Sequence, residues 1–169
     1  DVMSFGAFSV SGTVVNQSTG AHSFGTMTVD AGGIYEHAIN DGVIPSATWN
    51  ASSTCKVTGI VGNDISNGDA QNFGNLIWNC TGQSTDHTHS AALNIQGNLE
   101  IISTGSKNFK FDNDQSNTIG GNYIQSGGSV QFGNNNLHTL SVTGNFTLSG
   151  GTFDITGNGS GVSTVTVGG

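Results

Sequence analysis

The sequence predicts an all-β protein, and within that class a right-handed parallel β-helix, or β-solenoid, with about 24 residues per turn. Three observations lead there. Charged residues make up only 8%, against roughly 25% in ordinary soluble domains, while 27 glycines and abundant Asn, Ser and Thr replace them. Apolar residues alternate with polar ones over short runs, and no stretch carries the 3.6-residue period of a helix. A short phrase also recurs along the whole chain.

That phrase is a glycine followed by apolar residues at its second and fourth positions. It occurs as Gly6 with Phe8 and Val10, Gly25 with Met27 and Val29, and Gly74 with Leu76 and Trp78. It returns as Gly97 with Leu99 and Ile101, Gly121 with Tyr123, and Gly144 with Phe146 and Leu148, and the chain closes on Gly169. The intervals are 19, 49, 23, 24, 23 and 25 residues, and 49 is two turns. A spacing of two places each apolar pair on one strand face. A second pair precedes the anchor in Leu93 and Ile95, Leu140 and Val142, and Val165 and Val167. Small-residue corners follow in Ala31-Gly32-Gly33, Ser126-Gly127-Gly128 and Ser149-Gly150-Gly151, where glycine reaches positive φ without a Cβ clash. Beyond them a third pair begins, as Val130 and Phe132 or Phe153 and Ile155. A meander would show Asn-Gly hairpin turns between paired strands, and a sandwich has no reason to repeat so evenly. In a solenoid, equal phases stack at ~4.8 Å, which would put Leu99, Tyr123 and Phe146 in one inward column and Ile101 and Leu148 in the next. Asp112, Asn136 and Asn158 share a phase as well, and stacked Asn side chains can hydrogen-bond along a column. Residues 1–169 are thus expected to form a single segment of about seven turns. Asp1 in place of Met points to processing or truncation upstream, and neither end has the character of a cap, so the segment is expected to belong to a longer repeat protein.

Net charge is −8, with Lys56, Lys107 and Lys110 the only cations and no arginine. Nucleic acid requires clustered cations to displace counterions from phosphate, so it is excluded as a partner. Membrane insertion is not expected either, because no run approaches the roughly 20 apolar residues of a span.

Several phrases resemble repeat regions of large secreted Bacteroidota proteins: Gly32-Gly33-Ile34-Tyr35-Glu36-His37, Ile44-Pro45-Ser46-Ala47-Thr48-Trp49-Asn50, Ser53-Thr54-Cys55-Lys56-Val57-Thr58-Gly59 and Phe73-Gly74-Asn75-Leu76-Ile77-Trp78-Asn79-Cys80. The resemblance implies export by the type IX route and a place outside the cell or on its surface, in an adhesin-like protein. It transfers no catalytic residues.

Four groups of residues are candidates for chemistry. Cys55 and Cys80 lie 25 residues apart, about one turn, and two cysteines in an extracellular-looking chain favour a disulfide over two buried thiols. They would stack if the intervening turn were anchored near Trp49, and would not if Cys55-Lys56-Val57-Thr58-Gly59 were itself a strand-and-anchor phrase. Asp112-Asn113-Asp114 is a tight acidic pair that calcium could use as a corner ligand, although turn chemistry alone explains it. Otherwise no cofactor is expected. Alternation places His87 and His89 on one strand face, but no Cys or carboxylate is clearly placed to complete a zinc set, so a solvated polar face is expected. His22, His37 and His138 are single polar positions. Trp49 and Tyr35 are the aromatics freest to stack on a sugar, whereas Trp78 and Tyr123 hold the apolar phase of the core.

Parallel β-helices also host polysaccharide lyases and hydrolases. Hydrolysis needs a carboxylate pair ~5–9.5 Å apart, and elimination needs a base with a cation to stabilise the anion. The chain has no arginine, two glutamates (Glu36 and Glu100), and aspartates scattered in phase, so it is not expected to be an enzyme. The expected function is a structural or adhesive stalk that contacts neighbouring repeats, copies of itself, glycans or other surface proteins. Glycan binding is the alternative, ahead of a fragment of a polysaccharide-degrading enzyme. Ice binding follows from the outward Thr pairs of Thr26-Met27-Thr28 and Thr164-Val165-Thr166, which lapse in other turns.

Overall fold

A computed structural model describes residues 3–18, 22–89, 91–111, 116–132, 138–156 and 163–169. Among them the chain forms twenty-one strands and no helix. The first two turns contain β1 (Met3–Phe5), β2 (Phe8–Val10), β3 (Thr13–Asn16), β4 (His22–Phe24), β5 (Met27–Val29) and β6 (Ile34–His37). The next two contain β7 (Ala47–Trp49), β8 (Thr54–Val57), β9 (Asn72–Phe73) and β10 (Asn75–Asn79). The regular part follows with β11 (His87–Thr88), β12 (Asn94–Ile95), β13 (Leu99–Ser103), β14 (Asn108–Phe111), β15 (Ser116–Ile119) and β16 (Tyr123–Gln125). It ends with β17 (Ser129–Phe132), β18 (Thr139–Val142), β19 (Phe146–Leu148), β20 (Thr152–Asp154) and β21 (Thr164–Val167).

Every strand pair is parallel, and strands stack on others one turn away in sequence. The molecule is therefore a parallel β-solenoid. One face is an unbroken seven-stranded sheet, β3-β6-β8-β10-β13-β16-β19, which spans about six turns. A second face holds β1-β4 and, further along, β11-β14-β17-β20. The third holds β2-β5-β7 and then β9-β12-β15-β18-β21. Trp49 of β7 meets Phe73 of β9 edge-on at 5.0 Å, and Gln96 Nε2 donates to the carbonyls of both Trp49 and Asn72, which ties the two parts of this face together.

The repeat length changes along the stack. Backbone hydrogen bonds link Gly12, Gly33, Ser53, Gly74, Gly97, Gly121, Gly144 and Gly169 into one column. Its intervals are 20–21 residues up to Gly74 and 23–25 beyond it, so stacked strands are about 22 residues apart on average. Gly6 and Gly25 do not belong to this column. They sit at the corner between the second and third faces, where Met3–Phe5 pairs with His22–Phe24 and Phe8–Val10 with Met27–Val29. The 49-residue gap therefore spans a change of corner as well as two turns.

Between Gly74 and Gly169 the Gly-Asn dipeptide has a steric cause. Asn75 Oδ1 accepts the Asn98 amide at 2.8 Å, Asn98 Oδ1 accepts that of Asn122 at 2.7 Å, and Asn122 Oδ1 accepts that of Asn145 at 2.9 Å. A Cβ at Gly97, Gly121 or Gly144 would lie only 2.4–2.5 Å from the Asn oxygen of the turn below. The asparagine ladder thus excludes every side chain from the residue before it. The ladder foreseen at Asp112, Asn136 and Asn158 lies outside the described residues.

The core is continuous from Val10 to Val142. Leu99, Tyr123 and Phe146 are in register as the apolar pattern requires, with Leu99 and Tyr123 fully buried. The neighbouring column runs Ile101, Gln125, Leu148; its first two members are buried, whereas Leu148 on the last turn is 47% exposed. Outward positions carry polar pairs between turns, such as Lys56 Nζ to Glu36 Oε2 at 3.3 Å and Lys110 Nζ to Asp86 Oδ2 at 2.7 Å.

Candidate functional site

The second face has no strand in the turns that carry β6 and β8. Residues 38–46 and 58–71 run there instead, joined by a parallel bridge between Val43 and Asn67. β11 is where the four-stranded sheet begins, with His87 registered on Phe109 and Thr88 on Lys110. Its other edge meets the 58–71 connection, which brings Asp64 and Asp69 against the histidines.

Alternation turns His87 and His89 to the same side, and that side is the interior: they are 0% and 1% exposed. The solvated face expected for them is thus corrected. Their polar partners come from a loop about twenty residues earlier. Asp64 Oδ1 lies 2.5 Å from His87 Nδ1. A carboxylate only accepts, so Nδ1 carries a proton, and in the neutral ring Nε2 then presents a lone pair. That Nε2 is buried with no hydrogen-bond partner and lies 3.8 Å from Asp69 Oδ2. His89 Nδ1 is 3.4 Å from the same oxygen, and Asp69 is itself 4% exposed. The Trp78 ring stacks on His87 at 4.4 Å, and Phe109 approaches His89 edge-on at 4.7 Å. Burial, with His87 beside it, pushes His89 down to about 4 against the pull of Asp69, so its imidazole is neutral at physiological pH. The result is two imidazoles and a carboxylate converging in the interior beside the Trp78 and Phe109 rings.

The other candidate residues are elsewhere. Cys55 registers with Tyr35 on one side and Leu76 on the other, whereas Cys80 lies four residues beyond Leu76. An offset of four strand residues is ~13 Å, too far for a bridge, which needs Cα atoms within ~7 Å. The expected disulfide is therefore replaced by two free, buried thiols. Cys55-Lys56-Val57-Thr58-Gly59 is a strand phrase in its own right, and Ser53 serves as its anchor. Burial pushes both thiols up, Cys80 to about 12, which leaves them unreactive at neutral pH.

Tyr35 and Trp49 are not sugar platforms. They are 0% and 6% exposed, and their polar tips are taken inside, Tyr35 Oη by Asn16 Nδ2 at 3.3 Å and Trp49 Nε1 by Gln71 Oε1 at 3.1 Å. The acidic pair Asp112 and Asp114, with its calcium reading, lies outside the described residues. His37 is buried with Nε2 2.9 Å from the Asp41 carbonyl, and His138 is buried against the Phe132 ring, parallel at 5.7 Å. Sequence reasoning missed Asp64 and Asp69, which stand in an aperiodic loop. Their only signal was the length of the stretch between the phrases around Cys55 and Gly74. Comparison with known proteins finds no matching family model, no significant match among curated proteins and none among solved structures.

Proposed function

We propose that the chain is a non-catalytic structural module, a length of stalk that spaces or displays other parts of a bacterial surface protein and contacts neighbouring repeats or copies of itself. The Bacteroidota and type IX origin implied by the sequence phrases belongs to the same proposal. The observation that supports it is continuity: one seven-stranded parallel sheet and one core run through the stack, and Asp69, His87 and His89 are enclosed within it. A polysaccharide would need titratable groups on an open face, and Asp69, His87 and His89 are inside. Glycan binding loses Tyr35 and Trp49 to the core.

Activity assays of the 169-residue chain on pectins, alginates and β-glucans test this directly. No turnover is expected. Turnover abolished by Asp64→Asn or Asp69→Asn would replace the structural reading with an enzyme.

A further inference from the structure

We propose that Asp69, His87 and His89 form a binding site for one divalent transition-metal ion of the zinc class, which clamps the 58–71 connection to the first strand of the four-stranded sheet. The three residues come from two segments about twenty residues apart, and one ligand atom from each lies within 4.8 Å of the others.

The separation of His87 from Asp69 is too long for a shared proton. A hydrogen bond from His87 Nε2 to Asp69 would require about 2.7–3.2 Å, but the two atoms stand 3.8 Å apart. Donors at ~2.0–2.1 Å from a tetrahedral zinc are themselves about 3.3–3.4 Å apart. The observed 3.4 and 3.8 Å around Asp69 Oδ2 are therefore close to a ligand set. His87 Nε2 is fully buried, has no hydrogen-bond partner and faces that carboxylate. In the neutral tautomer the Nε2 lone pair would face a carboxylate oxygen in a low-dielectric core, a repulsion that a cation between them removes.

Asp64 strengthens the assignment from outside. By accepting the Nδ1 proton it fixes the tautomer of His87 and turns Nε2 inward, the arrangement in which a carboxylate orients a ligating imidazole. Two imidazoles and one carboxylate suit zinc, cobalt(II), nickel or copper, and they suit calcium poorly because it takes six to eight oxygens. Cys80 is not a further ligand, since its Sγ faces the Val57 carbonyl at 3.5 Å. Three protein donors leave a fourth position to water. With Trp78 and Phe109 closing the site, the role is structural: the ion ties down the connection where the second face lacks a strand.

The test uses the 169-residue chain freed of metal by chelator and titrated with zinc or cobalt(II), the imidazole ¹⁵N resonances being followed by NMR. About one equivalent is expected to bind, to shift the resonances of His87 and His89 but not those of His37 and His138, and to raise the melting temperature. Cobalt(II) should show the intense visible bands of a four-coordinate ion, and calcium should move nothing at these histidines. Asp69→Asn and His89→Gln should abolish binding, while Asp64→Asn should weaken it by roughly ten- to a hundredfold at unchanged stoichiometry. The NMR readout needs only the unaltered chain, so a variant that fails to fold does not decide the matter. Absence of saturable zinc binding, unmoved His87 and His89 resonances, or binding that survives Asp69→Asn would each overturn the proposal.

Discussion

A tryptophan or tyrosine buried in a solenoid carries one polar atom inward, and here each of the four finds an amide side chain. Asn16 donates to Tyr35, Gln71 accepts from Trp49, Gln83 accepts from Trp78, and Gln125 accepts from Tyr123. The glutamines do more than satisfy a ring. Gln125 Oε1 takes the Tyr123 hydroxyl at 2.6 Å, and its Nε2 lies within hydrogen-bonding range of the carbonyls of Gly127, Gly128 and Thr152. Gln83 serves Trp78 at 2.9 Å while donating to Thr85 and Asn108. A buried polar group stripped of its partner loses about 1–3 kcal/mol, so Gln125→Leu should destabilise the chain by at least about 2 kcal/mol despite adding apolar surface. Urea unfolding of the variant checks this, and a midpoint equal to that of the parent would show that water replaces the amide. The same pairing explains why Tyr35 and Trp49 look free in the sequence. Their amide partners are 19 and 22 residues distant, and nothing in the local alternation marks them.

At the scale of the strand and its corner, the recurring glycine proves to be two different things. Gly121 sits under the Asn98 oxygen, and an added Cβ would also meet the Gly97 carbonyl group at 2.8 Å, so no single side-chain movement relieves the clash. Gly6 has nothing within 4 Å and no positive φ. Gly121→Ala should therefore cost about 1–3 kcal/mol by overpacking, whereas Gly6→Ala should be neutral or slightly stabilising. Urea midpoints of the two variants decide it, and equal effects would refute the asparagine-ladder account. The distinction also sets what could be read from the sequence. From Gly97 onward the phrase placed β13, β16 and β19 in their observed register, because one corner repeats with one spacing. Nearer the start, Gly6 and Gly25 open strands by the same apolar alternation but at another corner, and Ser53 fills an anchor position without being glycine. Alternation likewise put His87 and His89 on one face correctly. It could not say which face, because polar residues point inward only when partners await them, and Asp64 and Asp69 stand in a loop with no period.

Across the whole molecule, each turn touches mainly the turns before and after it, so stability is close to a sum of turn and interface contributions. Apolar side chains of the last turn are poorly covered: Leu148 and Val167 are 47% and 42% exposed, where their counterparts a turn earlier, Gln125 and Val142, are buried. The ladder hydrogen bonds of all three faces run from turn to turn, along the axis of the stack rather than across it. A load applied to the two ends therefore falls on one interface after another, in series, and the chain should yield by shedding single turns in place of one global rupture. Each released turn lengthens the tether by its extended contour less the rise it gave up. That is roughly 75 Å for the 23–25-residue turns and roughly 65 Å for the 20–21-residue turns. Optical-tweezer or atomic-force traces should show a staircase with two step sizes, the longer steps first as the thinly covered end gives way. A single large step would mean that the turns are coupled far more tightly than their contacts suggest. A solenoid built this way fails gradually, and its tensile strength is set by its weakest interface, whatever the number of turns.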